Sequence, residues 1–306
     1  MDQYILIGPS TFGERDRTPL EKLSAAGLGI IENPFKRRLE RAELLELLRP
    51  NVIGLLAGLE PIDAEVLRQS SLKVVSRVGS GMANVDIEAA RTLGIAVHST
   101  PSGPTQAVAE LTVGALLALM RMISKMDAEL HAGRWTKRIG AQLEGKIVAI
   151  IGFGRIGRRV AELLQPFHVR LVIVDPLLPP DTVVPGERME LDEALPLADI
   201  VTLHCSGEDR LVDAEKLAGM KPTAFLLNAA RGGLIDEPAL ADALQNGRLA
   251  GAWVDTFEKE PYSGPLTSSR NALLTPHVGS YTEECRAQME TEAVENLLRG
   301  LLESRR

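Results

Sequence analysis

Residues Ile147–Leu164 read IVAIIGFGRIGRRVAELL. The first five are apolar and mostly β-branched, the pattern of a strand buried on both faces; the segment then turns through Gly152, Gly154 and Gly157 into a helix-period run. A lone GxGxxG is a weak signal, but strand before and helix after is the context its chemistry requires. Gly152 permits the tight turn, Gly154 lets the backbone approach a pyrophosphate, and Gly157 lets helix and strand pack closely. The helix N-terminus presents free N–H groups and a positive dipole end, with Arg155 and Ile156 lining the bend. The next apolar run, RLVIVD, ends in Asp175, near the ~20-residue offset at which a carboxylate meets the adenosine ribose. Without the glycines, Asp175 would read as a turn or capping residue. Pro176, Leu177 and Leu178 follow with no arginine to neutralise a 2′-phosphate, so NAD is expected over NADP.

Outward from this stretch, KIVAIIGFG, RLVIVD, ADIVTLHC, TAFLLNAA, GAWVD and NALLTPH are six β-rich runs with helix or turn signals between them. They describe a doubly wound parallel sheet, a Rossmann domain. Upstream, YILIG, VIGLLA, KVVSRVG and GIAVHS alternate with RAELLELLR and DAEVLRQS, a second and smaller parallel α/β domain of flavodoxin-like kind. PSGPTQ at 101–106 breaks the pattern, and AVAELTVGALLALMRMISKM then reads as one long helix. The closing segment, EECRAQMETEAVENLLRGLLE, has amphipathic helical spacing and no strand after it, so it is expected to return to the first domain. The basic run KRRLER at 36–41 reads as a solvated helix flank rather than a phosphate clamp.

A chain of 306 residues with 45% hydrophobic and 25% charged residues suits two ordinary globular domains. The net charge of −7 argues against nucleic acid or an anionic membrane as partner. Cys205 and Cys285 stand alone, without CxxC or His-rich neighbours, so no disulfide framework or metal site is expected and a cytoplasmic setting fits. LTVGALLALM is about half a bilayer span, and the apolar run in MDQYILIGPS is too short for a secretory leader; a soluble protein is expected.

Three late runs end in chemistry. NAARGGLID puts Arg231 after a strand, where the ligand crevice of an open α/β sheet lies, and its planar fork suits a carboxylate. GAWVDTFEKEPY places Asp255 at a strand end and Glu260 before Pro261. NALLTPHVGS places His277 among small and breaker residues. Histidine is the side chain whose pKa starts near neutrality, as proton transfer to a carbonyl or alkoxide oxygen demands, and a neighbouring Glu260 would orient it. Of the other histidines, His98 and His204 fall within or at the end of apolar runs, His131 on a charged helix and His168 in a connection.

In order and spacing these motifs resemble the D-isomer-specific 2-hydroxyacid dehydrogenases over nearly the whole chain. GFGRIGRRVAELLQPF is similar to that family's glycine motif, KPTAFLLNAARGGLIDEPAL to its arginine signature, and VDTFEKEP with LLTPHVGS to its glutamate and histidine segments. The resemblance implies a discontinuous substrate-binding domain, 1–98 plus 285–306, and an NAD-binding domain, 99–284, with the cleft between them closing over a small 2-hydroxy or 2-oxo acid. It gives Arg231, Glu260 and His277 the catalytic positions. It places Ala229, Ala230, Arg231, Asp255, His277 and Gly279 near the nicotinamide half of the cofactor, and His204 and Cys205 near its adenosine half. The loop RVGSGMANVD, with Val78, Gly79 and Ser80, falls where the family offers backbone N–H groups to the substrate carboxylate, beside Arg231 and His277. It also implies a homodimer joined through about 104–145. Departures are Ala83 before Asn84, and Cys205, Ser206, Gly207, Glu208 and Asp209 where a proline-leucine-threonine turn is common. Ala57, Gly58, Leu59 and Glu60 stand where phosphoglycerate-using members carry basic residues, which argues against 3-phosphoglycerate unless Arg37 and Arg38 substitute. A non-catalytic NADH-sensing scaffold on the same fold, a corepressor, is the alternative; the complete Arg, Glu, His set speaks for the enzyme.

Overall fold

The computed structural model describes residues 3–207 and 209–304; the first two and last two residues of the expected domain ranges, and Glu208 of the atypical loop, lie outside the described residues. The chain forms two compact units, 1–104 with 280–306, and 105–279.

In the first unit β1 (Tyr4–Ile7), β2 (Gly29–Glu32), β3 (Val52–Ala57), β4 (Val74–Arg77) and β5 (Ala96–Ser99) form a parallel sheet in the order β2-β1-β3-β4-β5. The helices between them are α1 (Thr18–Ala25), α2 (Arg41–Leu47), α3 (Ala64–Gln69) and α4 (Ile87–Thr92). Strand alternation divides the core: Leu6, Leu55 and Val75 pack with Leu44, Val66 and Leu67 of α2 and α3. β2 is a strand the sequence reading passed over, because GIIE is short and its residues are half-buried or exposed at the sheet edge. Asp63 and Asp86 accept N–H bonds from the first turns of α3 and α4 and so cap them. The KRRLER run is ion-paired at the surface, Arg37 with Glu43 and Arg41 with Asp63 and Glu65.

The second unit opens with α5 (Pro104–Met120) and α6 (Ile123–His131). The sequence suggested one helix here; instead Met122 takes a left-handed φ of 52° and the two segments bend by 64°. Such a conformation breaks the hydrogen-bond ladder, and composition gives no sign of it. No single helix among the described residues is long and apolar enough to cross a membrane. Next come β6 (Ile147–Ile151), α7 (Arg155–Leu164), β7 (Arg170–Val174), β8 (Glu187–Arg188), α8 (Leu191–Leu197), β9 (Ile200–Leu203), α9 (Ala214–Gly219), β10 (Phe225–Asn228), α10 (Glu237–Gln245), β11 (Gly251–Val254) and β12 (Ala272–Leu274). All seven strands are parallel, ordered β12-β11-β10-β9-β6-β7-β8. The seventh, β8, is two exposed charged residues with no apolar pattern to betray it.

Side chains alternate across this sheet too. Val148 and Ile150 pack on the face with α5 and α7, while Ala149 and Ile151 pack on the face with α8 to α10. The order reverses around β6, with β7 on one side and β9 on the other. Ligands of open α/β sheets bind at that point, outside the carboxyl ends of the strands. The last helix, α11 (Glu283–Glu303), belongs to the first unit and buries Met289, Ala293, Val294 and Leu297 against its sheet. Gly300 allows that approach, since a Cβ there would lie 2.9 Å from Val74.

Candidate active site

Because every strand of the second unit runs the same way, the residues just past their carboxyl ends share one edge. Gly152 follows β6, Asp175 follows β7, His204 and Cys205 follow β9, Arg231 follows β10, Asp255 follows β11 and His277 follows β12.

The glycine turn fits a pyrophosphate. Gly152 has φ 92°, and a Cβ on it would stand 2.4 Å from the Cys205 nitrogen; one on Gly157 would stand 2.1 Å from the Gly152 oxygen. A Cβ on Gly154 would meet nothing within 4 Å, so open space lies above the start of α7. Gly154 is the N-cap of α7 and has no side chain to bond the first N–H groups, leaving them for an anion. Asp175 accepts from Phe153 N at 2.8 Å and from Leu177 N at 3.0 Å, which ties its carboxylate to the glycine turn. His204 bonds Thr202 Oγ1 through Nε2 at 2.8 Å, and its buried Nδ1 meets no partner among the described residues. Burial pushes the ring down to about 3, so it is neutral. Burial, and then the Asp175 charge, raise the Cys205 thiol above its usual range, which makes it a poor nucleophile.

Arg231 is half-buried and sits in a turn built by Asn228, which is 1% exposed. The Asn228 carboxamide accepts from Ala230 N at 3.0 Å and donates to Arg231 O at 2.8 Å. The guanidinium donates to the Ala230 carbonyl at 2.7 Å. The turn is pressed against the following segment, for a Cβ on Gly232 would fall 1.8 Å from the Phe257 carbonyl carbon. Glu237 adds a second tie by accepting from Glu258 N at 2.8 Å. Arg231 and Glu260 are thus carried by loops that touch.

His277 Nδ1 lies 2.9 Å from Glu260 Oε2 and 3.0 Å from Oε1, and Glu260 Oε1 also accepts from Phe257 N at 3.0 Å. Since the carboxylate only accepts, Nδ1 carries a proton and Nε2 is left for other work. His277 is held at φ 54°, uncommon for a residue with a Cβ. Asp255 holds it there: Oδ1 accepts from Thr275 Oγ1 at 2.6 Å and Val278 N at 2.9 Å, and Oδ2 accepts from Gly279 N at 2.9 Å. Asp255 therefore braces the histidine turn rather than extending a free carboxylate.

In the first unit the 78–81 loop differs from expectation in which amides are available. Val78 N donates to Ala57 O at 2.8 Å, and Gly79 N to Thr100 Oγ1 at 2.7 Å. Those two shape the loop, while Ser80 N and Gly81 N are committed to no acceptor among the described residues. Glu60 is 1% exposed, packed against Gly8 and accepting from Gly58 N at 2.9 Å. Burial raises its carboxyl above the usual range, opposed by bonds to backbone N–H groups and by Arg77 and Arg38.

The sequence reading missed Asn228, Thr275, Trp253, Glu237 and Thr100. Asn228 had a signal, a polar residue closing an otherwise apolar strand. Trp135 is 80% exposed, on a segment that has no core of its own. The described residues contain no cluster of His, Cys, Asp and Glu able to hold a metal.

Residues 113–279 match the family model described as D-isomer specific 2-hydroxyacid dehydrogenase, NAD binding domain. The chain is 39% identical over 273 residues to the glyoxylate reductase of Thermofilum pendens, covering 84% of this chain and 80% of that one. It is 35% identical over 279 residues to the D-3-phosphoglycerate dehydrogenase of Rattus norvegicus, covering 88% of this chain and 52% of that one, so the chain spans about half the length of that relative. A solved structure from Thermus thermophilus superposes with a TM-score of 0.90 at 36% identity, over 98% of this chain and 97% of that one. With the glycine turn, the strand-end arginine and the paired glutamate and histidine in place, these likenesses show that the chain belongs to the D-isomer-specific 2-hydroxyacid dehydrogenase family of NAD(P)-dependent oxidoreductases.

Proposed function

We propose that the chain interconverts a small, unphosphorylated D-2-hydroxy acid and its 2-oxo acid with NAD as cofactor, His277 acting as acid and base. The observation that carries this is the imidazole of His277 bonded through Nδ1 to Glu260 on the same sheet edge as an open glycine turn. Bound NAD supplies the acceptor, and NADH the donor, of the C2 hydride. In oxidation Nε2 of His277 takes the hydroxyl proton, and in reduction it returns one, while Glu260 balances the charged ring. Arg231 binds the carboxylate and polarises the reacting oxygen, which matters most as charge develops there.

Gly152, Gly154, Arg155, Ile156 and Gly157 bind the pyrophosphate, Asp175 the adenosine ribose, and His204 and Cys205 line the adenosine side. Ala229, Ala230 and Gly279 border the nicotinamide, with Asp255 acting through the turn it braces. A carboxylate at position 175 favours NAD, because it would repel a 2′-phosphate. In the first unit, Ser80 and Gly81 have the free amides suited to a carboxylate, on a loop shaped by Val78 and Gly79. Arg37 is ion-paired with Glu43, and Arg38 and Arg77 are set against the buried Glu60, so the basic groups near this strand end already have carboxylates to balance, which supports an unphosphorylated substrate.

The assembly we favour is a homodimer through α5, α6 and the arm after them. None of residues 121–142 is buried, yet they carry Ile123, Leu130, Trp135 and Ile139, the last 96% exposed. A second copy of this chain is the surface that would cover them. The activity is tested by following NADH consumption with glyoxylate, hydroxypyruvate, pyruvate, longer 2-oxo acids and 3-phosphohydroxypyruvate. Turnover of a short unphosphorylated acid is expected. Preference for the phosphorylated acid would overturn the substrate assignment, and silence across the panel would favour the NADH-sensing scaffold.

A further inference from the structure

A buried polar chain runs from the core of the second unit to the histidine turn. Trp253, on β11, is 0% exposed, and its indole Nε1–H donates to Thr275 Oγ1 at 3.0 Å. Thr275 Oγ1 in turn lies 2.6 Å from Asp255 Oδ1. Chemistry fixes the direction of both bonds. An indole N–H only donates and an aspartate carboxylate only accepts, so the single threonine proton must point to Asp255 while its lone pair receives the indole. One rotamer of Thr275 satisfies both.

The carboxylate so fixed is also the acceptor for Val278 N and Gly279 N, which follow His277 directly. Thr275, two residues before His277, and these two amides after it therefore converge on one group. Between them His277 holds its left-handed φ of 54°, and His277 N is bonded to Thr275 O at 2.9 Å. Packing does not explain the chain. A phenylalanine and a valine would fill the same space without leaving a buried N–H and hydroxyl that need partners. What the polar chain adds is a fixed reference between the sheet and the turn: Trp253 is held on both sides by β10 and β12, in register with Leu227 and Leu273.

We propose that Trp253 and Thr275 are positioning residues of the reaction, fixing through Asp255 the turn that presents the imidazole of His277. This rests on the acid and base role given to His277 above. The relay is expected to act on turnover more than on NADH affinity, because it sets where the ring stands and its link to the cofactor side is the Gly279 amide that Asp255 also holds.

The test uses the full chain with Thr275→Val, Thr275→Ser, Trp253→Phe, the Thr275→Val/Trp253→Phe double variant, and His277→Ala. Thr275→Val should lower kcat roughly 10–100-fold, the loss expected when a reacting group is displaced by about 1 Å, with KM and NADH affinity little changed. Thr275→Ser, which keeps the hydroxyl, should restore most of the rate. Trp253→Phe should lower kcat in the same sense, and the double variant should be no worse than Thr275→Val, because both break one relay. A readout independent of turnover comes from the chain having only two tryptophans. In ¹H–¹⁵N spectra of the cofactor-free protein, the indole signal of Trp253 should move in Thr275→Val and stay in Thr275→Ser, while that of exposed Trp135 stays in both. Wild-type kcat in Thr275→Val, equal loss in Thr275→Ser, an unmoved indole signal, or additive losses in the double variant would each overturn the relay. Trp253→Phe keeps the test open if Thr275→Val does not fold. A dead His277→Ala beside an unimpaired Thr275→Val removes the relay alone; a fully active His277→Ala removes the acid and base reading with it.

Discussion

Both carboxylate oxygens of Glu260 stand about equally close to one ring nitrogen of His277, at 2.9 and 3.0 Å from Nδ1. A carboxylate in this position holds the ring's tautomer and balances its charge when Nε2 is protonated. Glu260→Gln keeps the size and removes the charge. Turnover is expected to fall about 10–100-fold, a part of the roughly 10²–10⁴-fold that acid–base groups supply, with NADH affinity retained. Unchanged turnover would mean that the pair does not act on the reaction.

Two glycines of this edge should separate cofactor binding from stability. A Cβ on Gly154 enters open space, so Gly154→Ala should lower stability by no more than about 1 kcal/mol, the scale of an N-cap change, while weakening NADH binding strongly. A Cβ on Gly232 collides with the Phe257 carbonyl carbon, so Gly232→Ala should lose about 1–3 kcal/mol or more and take activity with it. Urea unfolding and NADH titration of both variants check this. The reverse pattern would place the cofactor elsewhere.

His204 gives a pH dependence of known sign. Its ring is pushed down to about 3 in the folded chain, from an ordinary 6.5. Between those values the unfolded chain binds a proton that the folded chain does not, so this contribution to stability is complete above about pH 6.5 and lost as pH falls toward 3. Its slope approaches about 1.4 kcal/mol per pH unit at most. In His204→Gln, stability should fall less steeply with acidification over that window, as read by urea unfolding at a series of pH values. Parallel curves would mean that the ring is not buried neutral.

What the sequence showed and hid divides along physical lines. The sheets were legible because IVAII, VIGLLA and FLLN are short, largely apolar runs bounded by turn and helix signals, the pattern of a buried strand in an alternating α/β chain. The residues past the strand ends were legible because Arg231 and His277 are odd companions for apolar runs. GIIE and the two-residue ER strand were not, since short edge strands bury too little to leave a pattern. Nor was the break at Met122, which depends on one φ value. Thr275 and Trp253 carry no signal in the sequence, because only three dimensions bring their polar atoms to Asp255. Likewise, the sequence located the 78–81 loop and could not tell that Thr100 already takes the Gly79 amide.

The exposed arm makes a claim about assembly. Trp135 and Ile139 are 80% and 96% exposed, and a protein that dimerises through them should separate when they become Ala and Asp. Sedimentation is expected to give twice the chain mass for the wild type and the single mass for the double variant. A monomeric wild type would refute the dimer.

The most direct measurement compares wild type and His277→Ala for NADH consumption with the short 2-oxo acids, alongside NADH binding by nicotinamide fluorescence. Expected are turnover by the wild type, a loss of about 10²–10⁴-fold or more in His277→Ala, and the same NADH affinity in both. Equal turnover in the two proteins, or an NADH affinity that disappears while the chemistry survives, would contradict the role given to His277.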